Sequence, residues 1–319
     1  MSEASRDGGI SLWLRLLGFA LVPLSVQVIY PPVGGALSIL TPLPLAYGMR
    51  RRSIYEGLAA ITLVALMTAM VQGTEPGLFF IVETVPLCLG IYWAVGSIRP
   101  PYVTVTVSVG LIALSAFLAL VVYGAVSGEG LAGVYGKTME QMGALMESVP
   151  LPAEMPAEEA AYLEWLMEVY KKLIVGIWLS SLTVLFILYT TMIRGWLFRA
   201  GLFDRERVPF LTGWSLPFPF IGVFIPLAVL VIAGNGTLKV AAMNAMLPLG
   251  TLYAIQGMAV ISHLLDRWSI SIILRVLVLV IFAMQFPRIL MVATALIGLF
   301  DTWLEFRQRF PLPEDPPSA

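Results

Sequence analysis

Five ionisable side chains, Arg15, Glu56, Glu83, Arg275 and Asp301, fall within long apolar runs of the chain. A charge at the centre of a bilayer costs about 2.5–3.5 kcal/mol to insert, so each needs a partner or a watery cavity. Glu83 leaves the most open. It stands about 9 Å below the outer end of a run read as 77–96, with no other charge near it in sequence. It is either paired with Lys239 or Arg288 from another run, or protonated and hydrogen-bonded, or a charge or proton partner in a substrate site. Arg275 and Asp301 lie at similar depths in neighbouring runs, which suits a structural ion pair. Arg15 and Glu56 are shallow enough to snorkel to the interface.

A second constellation lies in TLKVAAMNAMLPLGTLYAIQGMAVISHLL, where Asn244, Pro248, Gly250, Tyr253, Gln256 and Gly257 occur close together. Proline removes a backbone donor and frees a carbonyl, and glycines allow close helix contact. An interrupted span with amide side chains is how many transporters build a midplane site, with Asn244, Tyr253 and Gln256 as its hydrogen-bonding groups. The same residues also serve ordinary helix packing.

Several chemistries lack their residues. One cysteine, Cys88, and one histidine, His263, exclude disulfide frameworks and the usual zinc sites. No GxxxxGK[ST] loop is present. The nearest approach, Gly136-Lys137-Thr138, has Leu131 where the first glycine belongs. Neither HExxH nor GxSxG occurs, and Glu164 and Glu168 have no histidine or asparagine beside them, so a solvated helix face suits them better than a metal. The expectation is a protein that is not an enzyme, has no cofactor and no metal, and has no nucleic-acid partner.

The elements that must position these residues follow from composition. The chain of 319 residues is 59% hydrophobic and only 12% charged, with a mean hydropathy of +0.88. So much apolar surface requires the lipid bilayer as solvent. Runs long enough to cross it, at about 20 residues each, are 10–29, 33–48, 54–72, 77–96, 101–124, 173–193, 215–234, 239–264, 269–285 and 288–304. These predict an all-α, polytopic integral membrane bundle of about ten spans, or about eight if 33–48 and the pair around 285–288 are broken or re-entrant. The first run lacks a small-residue cleavage site and reads as a retained span.

The consecutive Arg50, Arg51 and Arg52 set the orientation. With the N-terminus in the cytoplasm, that side also receives Arg99, Arg194, Arg199, Arg205, Arg207, Arg267, Arg307 and Arg309, while the opposite side holds Lys137, Lys171, Lys172, Lys239 and Arg288. This is the positive-inside pattern, with Arg50–Arg52, Arg194 and Arg199 as topology anchors and both termini cytoplasmic. The organisation expected is an N-terminal bundle of five spans over 1–124, an acidic helical hairpin outside over 125–172, a C-terminal bundle over 173–310, and a proline-rich, disordered tail over 311–319.

The segments WSLPFP at 214–219, Asn244, LYAIQGMAVISHLL at 252–265, Pro287 and IGLFDTWLEFR at 297–307 resemble the YybS-like family of bacterial membrane proteins, a domain of unknown function. The resemblance is strongest over 214–307. It implies a multi-pass protein of the bacterial inner membrane, and a remote fold-level similarity to the substrate-binding subunits of energy-coupling-factor transporters. The chain departs from those subunits in having more spans and the acidic hairpin.

Two roles are therefore expected. One is binding of a small solute between the helices, through Glu83, Asn244, Tyr253 and Gln256, as part of its transport with a separate energising partner. The other is a membrane scaffold or assembly factor that holds protein partners through the basic loop 194–207 and the hairpin 125–172.

Overall fold

The computed structural model describes residues 3–147, 157–202, 214–268 and 270–311. Every regular element among them is a helix: α1 (Glu3–Ile29), α2 (Pro31–Ser38), α3 (Pro42–Arg51), α4 (Ile54–Gln72), α5 (Thr74–Gly96), α6 (Pro101–Ser127), α7 (Gly130–Glu147), α8 (Ala157–Arg199), α9 (Pro219–Ala233), α10 (Gly236–Arg267), α11 (Ile272–Gln285), α12 (Pro287–Leu304) and α13 (Phe306–Arg309). Among the described residues six stretches are long and apolar enough to cross a membrane: Ser11–Ile29, Ile54–Gln72, Thr74–Gly96, Pro101–Ser127, Ala161–Arg199 and Gly236–Arg267. The chain is a multi-pass membrane protein with an all-helical fold.

Of two spans whose sequences suggest a break, one is broken and the other is continuous. The run 33–48 is not one helix. Pro42 and Pro44 cannot continue a hydrogen-bonded ladder begun upstream, and the chain divides into α2 and α3 around Ile39–Thr41. At about 1.5 Å per residue, neither piece crosses a bilayer alone. The span containing Pro248, expected to be interrupted, is continuous: α10 runs for 32 residues with Pro248 inside it. The apolar helix α9 has 15 residues, about 22 Å of length.

The structure divides into two compact units, with boundaries within α8 and in the first turn of α6. Unit 1 comprises Met1–Arg99, Thr104–Ala153 and Phe186–Val208. Its inner faces follow helical spacing. On α4 the buried positions are Gly57, Ala60, Ile61, Val64, Ala65 and Thr68, a stripe of mostly small residues that lets α3 and α5 approach closely. The opposite face of α4 exposes Leu63, Leu66 and Met70. A helix apolar all round suits lipid on one side and protein on the other.

The three arginines mark a helix boundary in unit 1. Arg52 leaves helical geometry with φ −117°, and Ser53 caps α4 by accepting from the Tyr55 N–H. Each guanidinium goes its own way. Arg50 lies over the Tyr92 ring, Arg51 donates to the Tyr47 hydroxyl at 2.9 Å, and Arg52 sits 3.6 Å from Glu56, which also accepts from the Trp13 indole. Arg194 is 7% exposed and donates to the Ala94 carbonyl at 2.8 Å. It thereby supplies a positive charge at the C-terminal end of α5, where the helix dipole favours one.

Unit 2 comprises Pro100–Val103, Glu154–Leu185 and Pro209–Ala319. Its centre is the crossing of α10 with α12, flanked by α9. Trp214, Leu216, Tyr253 and Val260 are buried there. The hairpin expected over 125–172 is represented by α7 and the first turns of α8, and its connection 148–156 lies outside the described residues, as does the basic stretch 203–213.

Candidate functional site

Glu83 is deeper than its run suggested. Because α5 starts at Thr74, the carboxylate stands about 14 Å from the helix start at 1.5 Å per residue, close to the middle of a hydrocarbon layer of about 30 Å. It lines a cavity of about 290 Å³ in unit 1, together with Gln27 of α1, Ser38 and Thr41 at the α2–α3 break, and Thr68 and Gln72 of α4. Ala20, Leu24, Val64, Phe79 and Phe80 complete the apolar wall. Polar side chains from four elements thus converge at membrane depth.

Backbone chemistry explains this shape. Pro86, inside α5, has no N–H to offer the Val82 carbonyl one turn earlier. The hydroxyl of Ser115 on α6 donates to that carbonyl at 3.3 Å, so the helix stays satisfied beside Glu83. The α2–α3 break leaves helix-end groups that also need partners. Tyr189 of α8 donates its hydroxyl to the Ile39 carbonyl, and the Thr41 N–H bonds the Ser38 carbonyl at 3.0 Å. Irregular backbone at membrane depth is tolerated where it is buried or lines a cavity.

Most polar groups of the cavity are already engaged. Gln72 donates to Gln27 at 2.9 Å, Thr68 to the Val64 carbonyl at 2.9 Å, and Ser38 to the Gly35 carbonyl at 2.6 Å. Glu83 has no hydrogen bond or ion pair among the described residues. A carboxylate at the wall of such a cavity can accept hydrogen bonds from a solute, balance a cation, or carry a proton.

Asn244 has another job. Its Oδ1 accepts from the Gly176 N–H at 2.7 Å, and its Nδ2 donates to the Lys172 carbonyl at 2.8 Å and to the Val240 carbonyl at 2.9 Å. Gly176 and Lys172 are the two backbone groups that an α-helix pairs with each other, i to i−4. The amide sits on both and fastens α10 to the ladder of α8. Gly176 makes room, since a Cβ there would lie 2.6 Å from the Asn244 carbonyl oxygen.

Gln256 is three turns further on, about 18 Å along α10. It is fully buried, accepts from the Leu216 N–H at 2.9 Å and donates to Asp301 Oδ2 at 3.0 Å. Asp301 also accepts from the Phe306 N–H at 3.0 Å and pairs with Arg307 at 3.1 Å. The described partner of Asp301 is therefore Arg307. The side chain of Arg275, its expected partner, lies outside the described residues. Glu305, with φ 49°, turns the chain after α12 so that Arg307 returns to Asp301. Tyr253 stacks edge-on against Phe224 at 5.5 Å, and its buried hydroxyl has no hydrogen-bond partner among the described residues.

The expected constellation thus separates. Glu83 belongs to the cavity of unit 1, while Asn244, Tyr253 and Gln256 belong to unit 2. Sequence reasoning missed Gln27, Ser38, Thr41, Thr68 and Gln72, although the Pro42 and Pro44 pair was a usable signal for the break that brings Ser38 and Thr41 to Glu83.

Six long apolar helices among the described residues define a multi-pass membrane protein. The chain belongs to the family described as predicted membrane protein (DUF2232), which it matches over residues 18–302. That span includes the Glu83 cavity, and the membrane-protein resemblance of 214–307 agrees with it. No curated protein and no solved structure matches the chain.

Proposed function

We propose that this protein binds a small polar solute carrying a positive charge in the Glu83 cavity and takes part in its transport across the bacterial inner membrane. The observation that carries the reading is a carboxylate near the membrane middle, open to a cavity and without a partner among the described residues. An ammonium or guanidinium group would supply the missing charge. The amides of Gln27 and Gln72 and the hydroxyls of Thr41 and Thr68 would orient the remainder of the solute.

In this reading the arginine junctions and both termini face the cytoplasm, following the positive-inside pattern. Counting α2 with α3 as one broken crossing, and α9, α11 and α12 as crossings, gives about ten. The site then lies where a broken helix meets one that carries an internal proline, an arrangement that suits alternating access. The chain has no phosphate-binding loop, so an ion gradient or a separate energising protein drives the step. No catalytic step is assigned.

The test uses the purified chain in detergent with a panel of small alkylammonium and guanidinium ions, and small carboxylates as controls. Cations should raise the melting temperature of the wild type and leave Glu83→Gln unmoved. The ligand-free Glu83→Gln protein should itself be at least as stable as the wild type, because a neutral amide is cheaper at that depth. Equal cation shifts in both proteins, or shifts with the carboxylates alone, would remove Glu83 from the site.

A further inference from the structure

Unit 1 holds a second cavity, of about 660 Å³, on another side of α1. Its character is opposite to that of the Glu83 cavity. Leu16, Phe19 and Val22 of α1, Leu40 and Leu43 around the α2–α3 break, and Trp196 of α8 form an apolar lining, and Tyr47 is the polar group at one end. The cavity is open at its side: Phe19 is 75% exposed and Leu40 50%. An apolar chamber open toward hydrocarbon excludes the polar solute proposed for the first cavity.

Its arginine end selects the occupant. Arg51 lies one turn beyond Tyr47 on α3 and donates to the Tyr47 hydroxyl at 2.9 Å. Arg15 lies one turn before Phe19 on α1, and Arg199 three residues beyond Trp196 at the end of α8. Each of the three walls therefore carries a cation within about one turn of a lining residue. Glu56, the acidic side chain paired at this junction, is already taken by Arg52 and Trp13. Arg15 and Arg199 have no ion pair among the described residues. Basic side chains beside an apolar slot match a phosphate joined to a hydrocarbon tail.

We propose that this cavity seats an acyl chain of an anionic phospholipid, with the lipid phosphate held by Arg15, Arg51 and Arg199. The volume lies within the range of about 300–1,000 Å³ typical of sites for small organic ligands. The tail supplies the apolar contact, and the cluster supplies the preference for headgroup charge.

The experiment is native mass spectrometry of the full chain in detergent, titrated with phosphatidylglycerol, phosphatidylcholine or glycerol phosphate. Phosphatidylglycerol should be retained in preference to phosphatidylcholine, and glycerol phosphate not at all. Arg15→Gln, Arg51→Gln and Arg199→Gln should each weaken phosphatidylglycerol retention about fivefold, which corresponds to about 1 kcal/mol per basic side chain near an anionic lipid, and leave phosphatidylcholine unchanged. Val22→Phe, which fills the chamber at a residue 49% exposed, should lower retention of both lipids while its melting temperature stays that of the wild type. Equal retention of the two lipids, insensitivity to Val22→Phe, or glycerol phosphate binding as tightly as the lipid would overturn the proposal.

Discussion

Gly257 on α10 and Gly298 on α12 face each other so closely that neither helix has room for a methyl group: a Cβ on Gly257 would overlap the Thr294 carbonyl, and one on Gly298 the Tyr253 carbonyl. This contact brings Gln256 within reach of Asp301. Gly257→Ala and Gly298→Ala should each destabilise the protein by about 1–3 kcal/mol, the usual range for overpacking. A thermal melt of the purified protein in detergent checks this, and an unchanged midpoint for both would mean that the crossing relaxes freely.

Asp301 joins the middle of α10, through Gln256, to the turn after α12 with a single carboxylate, and Gln256 passes the link on to the Leu216 N–H ahead of α9. Removing a partner from a buried ion pair leaves an uncompensated charge and costs about 3–5 kcal/mol. Arg307 is 19% exposed at its side chain, so Asp301→Ala should fall at or below the lower end of that range. Asp301→Asn keeps an acceptor for the Phe306 N–H and should cost less. The ordering Ala worse than Asn in unfolding midpoints is the expected result.

The proline inside α5, near Glu83, offers a double-mutant cycle. Ser115→Ala leaves the Val82 carbonyl without the hydroxyl that now serves it, at a cost of about 1–3 kcal/mol for a buried acceptor. Pro86→Ala restores the backbone donor that proline lacks. Ser115→Ala should then be close to neutral in the Pro86→Ala background, and that coupling is measured by the same melts. Additive effects would show that Ser115 acts through something other than this carbonyl.

Asn244 makes a sharper chemical prediction. When Asn244→Ala removes the amide, the Gly176 N–H and Lys172 carbonyl can pair with each other as ordinary helix neighbours, so the loss should be about 1 kcal/mol. Asn244→Asp keeps the size but replaces two donors with acceptors facing the Lys172 and Val240 carbonyls. It should be the more damaging change. A solute-binding role alone would not give this order in the ligand-free protein.

The membrane class and the long helices were legible in the sequence because hydropathy is a property of each segment by itself. The split between α2 and α3 was legible too, since Pro42 and Pro44 constrain their own backbone. The partners were less so. Asp301 was read against Arg275 because depth along straight spans was the available ruler. Its described partner, Arg307, reaches it through the left-handed conformation of Glu305, a turn with no glycine to announce it. Asn244 and Gln256 looked like site residues because their amides are costly in lipid, a cost met here by backbone groups and, for Gln256, also by the Asp301 carboxylate. Glu83 kept its candidacy, but the amides and hydroxyls around it come from segments whose approach only the fold determines.

Pro23 of α1 lines both cavities of unit 1. Protein interiors compress little, so a shift of this stretch of α1 that widens one chamber narrows the other. The solute and the lipid proposed for the two chambers would then be thermodynamically linked, and whatever factor the lipid exerted on solute affinity the solute would exert on lipid affinity. On the proposed function, the composition of the surrounding bilayer would become an effector of transport, acting through a helix that neither ligand has to cross.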